Sequence, residues 1–483
     1  MASDPNTRRT FIKTVASTGL GLGLGGLAAA APLRPEVYSA ASFASGSEGI
    51  STVRPRPPGQ KPVHALTTAP TAKIRVGVIG LNRGMGHVND LSALDFVEVT
   101  ALCDLRRERA ERAARRVKER RGNTPEIYAG SESAWEQLVA REDLDAVYVA
   151  TPWEWHAPMC LKALELGKHV FVEVSAAVTV DECWALVDAS ERAQRHCVIL
   201  ENCCYGENEL FILNLVRNGV FGDLHHAECA YIHDLRGVLF QLGSEGDWRR
   251  EYHKRFDGNL YPTHGLGPIC QSLGIGRGDQ FKFLVSTSSP ERGLTRHLLK
   301  KNPNGGRHAG EKYLCGDMNT SLVKTERGLT IMVQHDVVSP RPYSRINALC
   351  GTEATFFDYP ARLALDTPRK YGLSAKGSGA WLNAADMQKM RNRFTHPLIR
   401  GLAASAKGAG HGGMDFVMNY RLMDCLRRGW TPDMTVYDAA AWSSLLEIST
   451  RSVAAGSAPV PIPDFTRGAW KTQTPLGIVE VGA

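Results

Sequence analysis

The sequence lacks the cysteine and histidine spacings that mark structural metal sites and disulfide frameworks. Its 483 residues include eleven cysteines, but they form no C-x-x-C pair and no Cys/His ligand pattern. An odd number of scattered cysteines is typical of buried thiols in a protein that folds in a reducing compartment. We therefore expect neither a metal nor a disulfide framework.

The sequence also lacks a concentrated patch of charge. Its formal net charge of +7 is spread along the chain, and 22% of its residues are charged. Nucleic-acid-binding proteins cluster Lys and Arg, so we expect no nucleic-acid partner. The length and a hydrophobic content of 43% suit a globular protein with two domains.

Beyond the N-terminus, no stretch is long and apolar enough to span a bilayer. At the N-terminus, Arg8 and Arg9 precede the apolar residues 15–31, which glycines interrupt. The uninterrupted run is shorter than the roughly 18 residues of a transmembrane anchor, which is the alternative interpretation. The pattern predicts a twin-arginine signal peptide over residues 1–31. We therefore expect the twin-arginine export machinery as a partner, no stable membrane span after processing, and a periplasmic or secreted protein.

Two changes of pattern divide the rest of the chain. Residues 32–72 are rich in Ser, Ala and Pro without a sustained period, which predicts a flexible linker. From Lys73, short apolar strands alternate with amphipathic helices, as in βαβ units around a parallel sheet. A doubly wound, Rossmann-type α/β domain is predicted for residues 73–203. Its predicted strands cover residues 74–80, 97–103, 146–150, 170–174 and 198–201, and its predicted helices follow Asp104 and cover residues 156–166 and 180–194.

Residues 204–483 have a different character. After a helix that ends near Gly219, β-rich segments with polar interruptions predict an α+β domain with an open, mainly antiparallel sheet. We expect helices over residues 415–428 and 436–455 to pack back on the first domain. The predicted strands cover residues 281–287, 320–325, 330–335, 346–350 and 355–358.

The turn after the first strand is a candidate pyrophosphate site. Gly80 ends the strand and a helix follows, so backbone N–H groups and the helix dipole would face a phosphate. The glycine motif is imperfect, because Asn82 and Met85 occupy its second and third glycine positions. Asp104 strengthens the interpretation, because a carboxylate at the end of the second strand binds ribose hydroxyls and favours NAD over NADP. Two arginines that follow Asp104 leave NADP as a minority alternative.

Polar and aromatic residues also follow later strands of the first domain. Residues 153–156, with the sequence Trp-Glu-Trp-His, stand where ligands bind in open α/β sheets. The same position selects residues 173–175 and 201–202. The alternative is that the two tryptophans pack in the core and His156 lies beside a helix cap.

In the second domain, aromatic, histidine and arginine residues gather in stretches that we predict to be irregular. Aromatic faces with hydrogen-bonding tips suit a sugar, which offers both C–H faces and hydroxyls. For each residue alone, burial with a satisfied polar group is the simpler interpretation. As a set, they predict a sugar site. The set comprises Tyr231, His233, Asp234, Leu235, Arg236, Trp248, Arg249, Tyr261, Pro262, Thr263, His264, Pro342 and Tyr343.

On these motifs the chain resembles the Gfo/Idh/MocA group of NAD(P)-dependent proteins. Within that group it closely resembles glycoside hydrolase family 109, the NAD-dependent α-N-acetylgalactosaminidases. The matching segments keep their order from Lys73 to Lys471. They are residues 152–156, 173–175, 201–202 with Tyr205, 233–236, 261–265, 341–343, 408–415 and 462–465.

The resemblance implies which residues line each ligand. Together with Gly80 of the first turn, the residues implied to line NAD are Asn82, Arg83, Asp104, Trp153, Glu154, Trp155, His156, Glu173, Val174 and Asn202. The residues implied to line the sugar are Tyr231, Arg249, Tyr261, Pro262, Thr263, His264 and Tyr343.

The chain departs from the dehydrogenases of this group at two places. Dehydrogenases carry a Glu-Lys-Pro motif whose lysine helps to move a proton, whereas this chain has valine at the lysine position, Val174. Of their D-x-x-x-H pair only His264 is kept, because Leu260 occupies the aspartate position. Both departures favour a hydrolase over a dehydrogenase.

The implied activity is release of terminal α-linked N-acetylgalactosamine without net redox change. Hydride transfer from sugar C3 to NAD would acidify the C2 hydrogen, elimination would release the C1 substituent, water would add, and hydride would return. We expect His264 to transfer protons, assisted by Tyr261 and Tyr343, because imidazole titrates near neutrality. The alternatives are an exported NAD(P)-dependent sugar oxidoreductase with tightly bound cofactor and a non-catalytic sugar-binding protein. A glycan is thus the expected small-molecule partner, and a homo-oligomer is left open.

Overall fold

The protein is described by a computed structural model that covers residues 46–375, 377 and 379–482. The predicted signal peptide lies outside the described residues. Within the described part of the chain, no helix combines the length and the hydropathy needed to cross a membrane.

The first domain is built on a parallel sheet whose central strand is buried on both faces. The strands are β1 (Ile74–Ile79), β2 (Val97–Asp104), β3 (Glu126–Ala129), β4 (Ala146–Val149), β5 (His169–Val172) and β6 (Cys197–Ile199). The helices are α1 (Gly84–Leu91), α2 (Arg107–Arg121), α3 (Ala134–Val139), α4 (Trp153–Glu165) and α5 (Val180–Ala193). The strand order is β3-β2-β1-β4-β5-β6, and all pairs are parallel. Because Ile79 of β1 pairs with Cys103 of β2 and Val149 of β4, the carboxyl ends of these strands form one edge.

The second domain contains a mixed sheet. Its strands are β7 (Leu224–Ile232), β8 (Phe281–Ser288), β9 (Asn319–Thr325), β10 (Thr330–Asp336), β11 (Ala348–Gly351), β12 (Ala354–Phe357), β13 (Arg362–Leu365) and β14 (Val460–Pro461). The order is β13-β12-β11-β7-β10-β9-β8-β14, in which only β7 and β10 pair in parallel. The helices are α6 (Glu207–Arg217), α7 (Arg236–Leu239), α8 (Glu245–Arg255), α9 (Thr263–Leu273), α10 (Gly293–Lys301), α11 (Ala384–Phe394), α12 (Pro397–Ala406), α13 (Met414–Arg428) and α14 (Val436–Ala454).

The predicted fold class is confirmed, and each strand that was not predicted is either short or partly polar. Strand β3 is short and lies at a sheet edge, where no apolar run is needed. Strand β7 has the sequence Leu-His-His-Ala-Glu-Cys-Ala-Tyr-Ile, whose polar first half hides the strand pattern. Strands β13 and β14 are four and two residues long.

Helix α14 connects the two sheets from within the core. It is buried around its whole circumference over Val436–Ser452, although it contains four serines there. Three of these serines accept hydrogen bonds from backbone N–H groups of neighbouring elements. The Ser443 hydroxyl accepts from the Ala176 N–H after β5 at 3.0 Å, and the Ser452 hydroxyl accepts from Ser286 N–H of β8 at 2.8 Å. The helix therefore fixes the first domain against the second sheet.

The segment predicted to be a flexible linker is bound to the folded body over residues 46–72. It contains no helix or strand there, but Arg56 donates to buried Glu191 of α5 at 2.9 and 3.1 Å. The Val63 N–H donates to the Tyr437 hydroxyl of α14 at 3.0 Å, and Val63 is itself buried. A segment with little periodicity is thus held on the folded body by individual polar and apolar contacts. The remaining part of the predicted linker, residues 32–45, lies outside the described residues.

Candidate active site

A cleft of about 520 Å³ lies at the carboxyl edge of the first sheet. Its volume is in the usual range for a small-molecule site, about 300–1,000 Å³. Residues of β7, α8 and α9 in the second domain form the opposite wall. The cleft therefore lies where open α/β sheets bind ligands.

The first turn of the cleft requires glycine. Gly80 has φ +87°, and a Cβ atom at this residue would lie 2.4 Å from the Ala150 carbonyl oxygen. The chain can therefore cross the end of β4 closely only without a side chain. Asn82 follows as an exposed residue at the cleft, just before α1 begins. This close turn before a helix N-terminus is compatible with a dinucleotide pyrophosphate, and the assignment of Gly80 and Asn82 to it stays a prediction.

Asp104 lies at the end of β2 directly beside this turn. One carboxylate oxygen accepts from the Leu81 N–H at 2.7 Å, and the other accepts from the Arg106 N–H at 2.8 Å. These bonds fix the carboxylate on the cleft wall. Each oxygen keeps a further acceptor site, so Asp104 can still bind ribose hydroxyls.

Arg83 and Glu173 form a partly buried ion-pair network at the cofactor end, joined by Asp415 of α13. Arg83 donates to Glu173 at 2.7 Å and to the two oxygens of Asp415 at 2.7 and 3.1 Å. Burial opposes the charge of Glu173, but Arg83 and His87 outweigh it and lower the pKa of that carboxyl. Asp415 also accepts from the Asn202 amide at 2.7 Å. Three of the predicted cofactor residues are therefore held in place by one another and by α13.

The Trp-Glu-Trp-His motif forms the first turn of α4, which begins three residues before the predicted start. Trp153 donates from its indole N–H to the Val174 carbonyl at 2.9 Å and is buried. Both ring nitrogens of His156 lie 2.7 Å from carbonyl oxygens, those of Thr151 and Ser175. Trp155 lines the cleft, whereas Glu154 does not. Trp153 and His156 thus brace the ends of β4 and β5, as the packing alternative proposed, and both also line the cleft beside Trp155.

Arg249 is the charged centre of the opposite wall. Its guanidinium lies 5.3, 4.9 and 5.0 Å from the ring centroids of Trp153, Trp248 and Tyr261, and it pairs with Glu245 at 3.2 Å. Burial opposes the charge, but the neighbouring phenols and Glu245 outweigh it, so the pKa of Arg249 is raised. Arg249 is therefore a fixed cation framed by aromatic rings.

Tyrosines form the floor beside it. The rings of Tyr231 and Tyr261 lie 4.5 Å apart, and burial raises the pKa of both phenols, so both stay protonated. The Tyr231 hydroxyl is 2.9 Å from His233 Nδ1. Tyr343 packs edge-on against His233 and accepts from Arg345 at 2.9 Å, and burial raises its pKa to about 12. Tyr343 lies at the rim and does not line the cleft itself.

His264 lies in the first turn of α9 and points its ring between the two domains. Its Nδ1 is 2.8 and 3.0 Å from the two carboxylate oxygens of Glu201, and its Nε2 is 3.5 Å from the Tyr261 hydroxyl. A carboxylate accepts hydrogen bonds, so Nδ1 carries a proton and Nε2 faces the cleft. Pro262 and Thr263 are buried at the start of α9 and position His264 without lining the cleft.

The predicted irregular setting holds for residues 233–235, 261–262 and 342–343, which lie outside helices and strands. It is wrong for the other residues of the set. Tyr231 lies near the end of strand β7, Arg249 lies in helix α8, and His264 lies in helix α9. The site is therefore built partly on rigid elements. Their pattern was hidden because polar side chains face the cleft where a strand or helix usually shows apolar periodicity.

Sequence reasoning also missed His411 as a residue of the cleft. It lies in a one-turn 3₁₀ helix, Gly410–Gly413, with φ +50°, and its side chain is 53% exposed. Its Nδ1 is 2.9 Å from an oxygen of Asp415, and this hydrogen bond raises the pKa of the imidazole against the effect of burial. A histidine in a glycine-rich stretch was the available signal.

One trio of described residues has ligand atoms close enough to hold a metal. These atoms, from Glu201, Cys203 and His264, lie within 4.8 Å of one another. Burial raises the pKa of the Cys203 thiol well above its usual range, and metals bind the thiolate. The expectation of no metal stays a prediction. All eleven cysteines are free thiols, and all but Cys350 are buried.

Two family models match the chain. The one described as "Glycosyl hydrolase 109, C-terminal domain" matches residues 205–472. The one described as "Oxidoreductase family, NAD-binding Rossmann fold" matches residues 74–200. They meet just after the last strand of the first sheet.

Similar proteins cover nearly the same length. The chain is 46% identical over 432 residues to "Glycosyl hydrolase family 109 protein 1" of Shewanella sp. (strain MR-4), covering 89% of this chain and 93% of that protein. It is 44% identical over 438 residues to "Glycosyl hydrolase family 109 protein" of Shewanella putrefaciens (strain CN-32), covering 90% and 94%.

Solved structures share the fold at low identity. Levoglucosan dehydrogenase in complex with NADH and L-sorbose superimposes with a TM-score of 0.60 at 18% identity, covering 82% of this chain and 100% of that chain. The relatives and the matched models, taken with the cleft geometry, decide the family. The chain belongs to glycosyl hydrolase family 109 and carries an NAD-binding Rossmann domain of the oxidoreductase family.

Proposed function

We propose that this glycosidase releases terminal α-linked N-acetylgalactosamine through an NAD-dependent cycle that ends without net redox change. One observation carries the proposal: a single cleft joins the dinucleotide turn to a wall of His264, Tyr261 and Arg249, with no lysine at residue 174. Val174 lines that cleft and has no proton to exchange. The chain thus keeps the means to bind NAD but lacks the proton-moving lysine of the dehydrogenases.

The residues that would hold NAD are those at the carboxyl edge of the first sheet. Gly80 and Asn82 would hold the pyrophosphate, Asp104 would bind the ribose hydroxyls, and Trp155, Val174 and Asn202 would line the remainder of the cofactor site. When bound, NAD⁺ supplies reversible hydride exchange with a sugar ring carbon, which makes the hydrogen on the neighbouring carbon acidic.

The opposite wall handles the sugar and its protons. His264 Nε2 faces the cleft as an acceptor, so it can remove a proton from the sugar and later return it. Tyr231 and Tyr261 remain protonated and can donate to hydroxyl or carbonyl oxygens, and Arg249 can bind anionic or partly charged oxygens. The raised pKa of His411 makes its protonated form available near neutrality, which suits donation to a departing oxygen.

We also propose that the protein acts outside the cytoplasm after twin-arginine export. The support is the sequence of residues 1–31, with Arg8 and Arg9 before an apolar, glycine-interrupted stretch. A cofactor restored in each cycle fits this location, because the enzyme would need no soluble NAD pool. Fractionation of cells that express the full chain, with Arg8 and Arg9 replaced by Lys as the comparison, tests this part.

The test of the activity uses nitrophenyl α- and β-N-acetylgalactosaminides in deuterated water, before and after the cofactor is stripped. The proposal expects nitrophenol release that depends on NAD, together with deuterium at C2 of the released sugar. Turnover without C2 deuterium refutes the elimination route. Net NADH formation from a free sugar identifies the oxidoreductase alternative, and sugar binding without turnover identifies the binding-protein alternative.

A further inference from the structure

The partner of His264 comes from an unexpected part of the chain. In the D-x-x-x-H pattern of the related dehydrogenases the carboxylate precedes the histidine by four residues, and here that residue is the buried Leu260. The structure instead places Glu201, which follows the last strand of the first sheet, against His264 Nδ1 at 2.8 and 3.0 Å. Glu201 is completely buried.

Glycines of α9 make this approach possible. A Cβ atom at Gly267 would lie 2.8 Å from the Glu201 side chain, and one at Gly265 would lie 2.5 Å from the Ala230 backbone nitrogen of β7. Both glycines are in the helix interior, where glycine costs about 1 kcal/mol relative to alanine. The two glycines thus lower the intrinsic stability of the helix, but their lack of side chains leaves room for Glu201 to contact the imidazole.

We infer that Glu201 is the positioning residue of His264. It takes the role of the aspartate in the D-x-x-x-H pattern, whose position Leu260 occupies in this chain. This inference rests on the proposed function. Glu201 accepts the Nδ1–H bond and thereby keeps the lone pair of Nε2 directed into the cleft. When Nε2 takes a proton from the sugar, the resulting imidazolium keeps its Nδ1–H bond to Glu201, whose carboxylate balances the new charge. The same proton returns to the sugar later, so the dyad ends unchanged.

The hydrogen bonds of Glu201 decide what each variant of this residue tests. One Glu201 oxygen also accepts from the Cys203 N–H at 3.1 Å. The same oxygen lies 2.8 Å from His264 Nδ1, so in Glu201→Gln an amide oxygen held by the Cys203 N–H still accepts from Nδ1, and the variant removes the charge of Glu201 but keeps the acceptor. Glu201→Leu removes both the charge and the acceptor, so the neutral ring can then carry its proton on Nε2, which is the wrong tautomer for a base.

The kinetic test compares three variants of the full-length, NAD-loaded enzyme. We expect Glu201→Gln to lower kcat by about 10²–10⁴-fold with KM nearly unchanged, and Glu201→Asp to recover part of that loss because it restores a carboxylate. The matched control is Glu191→Gln, which removes the charge of an equally buried carboxylate that binds Arg56, Arg467 and Tyr437. The control should lose thermal stability but keep kcat.

A second readout does not depend on turnover. In ¹⁵N-histidine-labelled protein, with the His264 signals identified from their loss in His264→Asn, we expect a protonated Nδ1 in the parent and a protonated Nε2 in Glu201→Leu. An unchanged tautomer, or a kcat loss no greater than that of Glu191→Gln, overturns the inference. If the parent has no glycosidase activity but the tautomer switches as expected, the proposed function fails while the positioning role stands.

Discussion

Replacement of Asp415 by Asn tests whether one carboxylate holds the cofactor end of the cleft together. Asp415 accepts two hydrogen bonds from Arg83, one from Asn202 and one shared with His411. Asparagine keeps the size but loses the charge and one acceptor oxygen. Arg83 would keep Glu173 as its remaining anionic partner. The change should therefore weaken the ion-pair network but leave the Arg83–Glu173 pair in place.

The size of the effect follows from burial. Removing one partner of a buried ion pair costs about 3–5 kcal/mol. Because the Arg83 side chain is 31% exposed, water screens part of this interaction. We therefore expect the free energy of unfolding to fall by about 2–3 kcal/mol, which for a protein of this size lowers Tm by about 2–3 °C. Since Arg83 and Asn202 both line the cleft, NAD should bind about tenfold more weakly, equivalent to about 1.4 kcal/mol.

Thermal unfolding with and without added NAD, and calorimetric titration of stripped protein, measure both effects. The control is Asp433→Asn, which breaks a buried bidentate pair with Arg421 at 2.9–3.2 Å. Neither residue of that pair lines the cleft. Asp433→Asn should lower Tm and leave NAD affinity unchanged. If Asp415→Asn behaves in the same way, the role of Asp415 in holding the cofactor end is refuted.

Three further predictions concern single residues. Gly80→Ala puts a methyl group 2.4 Å from the Ala150 oxygen at positive φ, so the free energy of unfolding should fall by about 2 kcal/mol or more. The purified variant should also carry less NAD, measured by absorbance. A normal NAD content would contradict the role of Gly80 at the cofactor turn. His264→Asn should lower the glycosidase rate by about 10²-fold or more, and near-normal turnover would dismiss its acid–base role. Burial raises the pKa of Asp90 to about 6, above its unfolded value, so its contribution favours folding at low pH and is lost as pH rises through 6. The stability of Asp90→Asn relative to the parent should therefore be about 2 kcal/mol higher at pH 7.5 than at pH 4.5 in urea denaturation, whereas an equal difference at both pH values would exclude a raised pKa.

Apolar periodicity made most of the fold predictable. Strand β1 is an almost unbroken apolar run because helices cover both faces of its sheet, and the sequence shows this directly. Strand β7 was missed because its first half is polar, although it is the central strand through which the second sheet pairs with β10 and β11. The fixed path of residues 46–72 was also missed, because its contacts join residues far apart in sequence, such as Val63 and Tyr437.

For the candidate site, the strand ends identified positions but not partners. Asp104 and Glu173 stand out because each follows a buried strand, and such ends meet at one edge of a parallel sheet. That Glu173 pairs with Arg83 and is linked to Asp415, more than 200 residues away, could not be read from spacing. The motif at 408–415 resembled the family, but only the folded chain brings His411 beside the cofactor turn.

The two departures from the dehydrogenase pattern, Val174 at the lysine position and Leu260 at the aspartate position, can be explained together from the placement of the side chains. Oxidation of one hydroxyl requires one proton-transfer group, and the dehydrogenase lysine is absent at Val174. The cleft nevertheless contains two imidazoles whose Nδ1 atoms are each bound by a buried carboxylate. His264 is held by Glu201 at 2.8 Å, and His411 is held by Asp415 at 2.9 Å.

Two carboxylate-bound imidazoles in one cleft are more than a simple hydride exchange uses. Elimination and water addition require proton transfers at two different atoms, a ring carbon and the departing oxygen, and each benefits from its own acid–base group. The pairing of each ring with a carboxylate leaves each Nε2 as the atom available for exchange. On this reasoning His264→Asn and His411→Asn should both slow glycoside cleavage, yet His411→Asn should have the smaller effect on substrates with nitrophenolate leaving groups, which depart without protonation. Equal losses for activated and unactivated glycosides in His411→Asn would contradict a role for His411 at the departing oxygen.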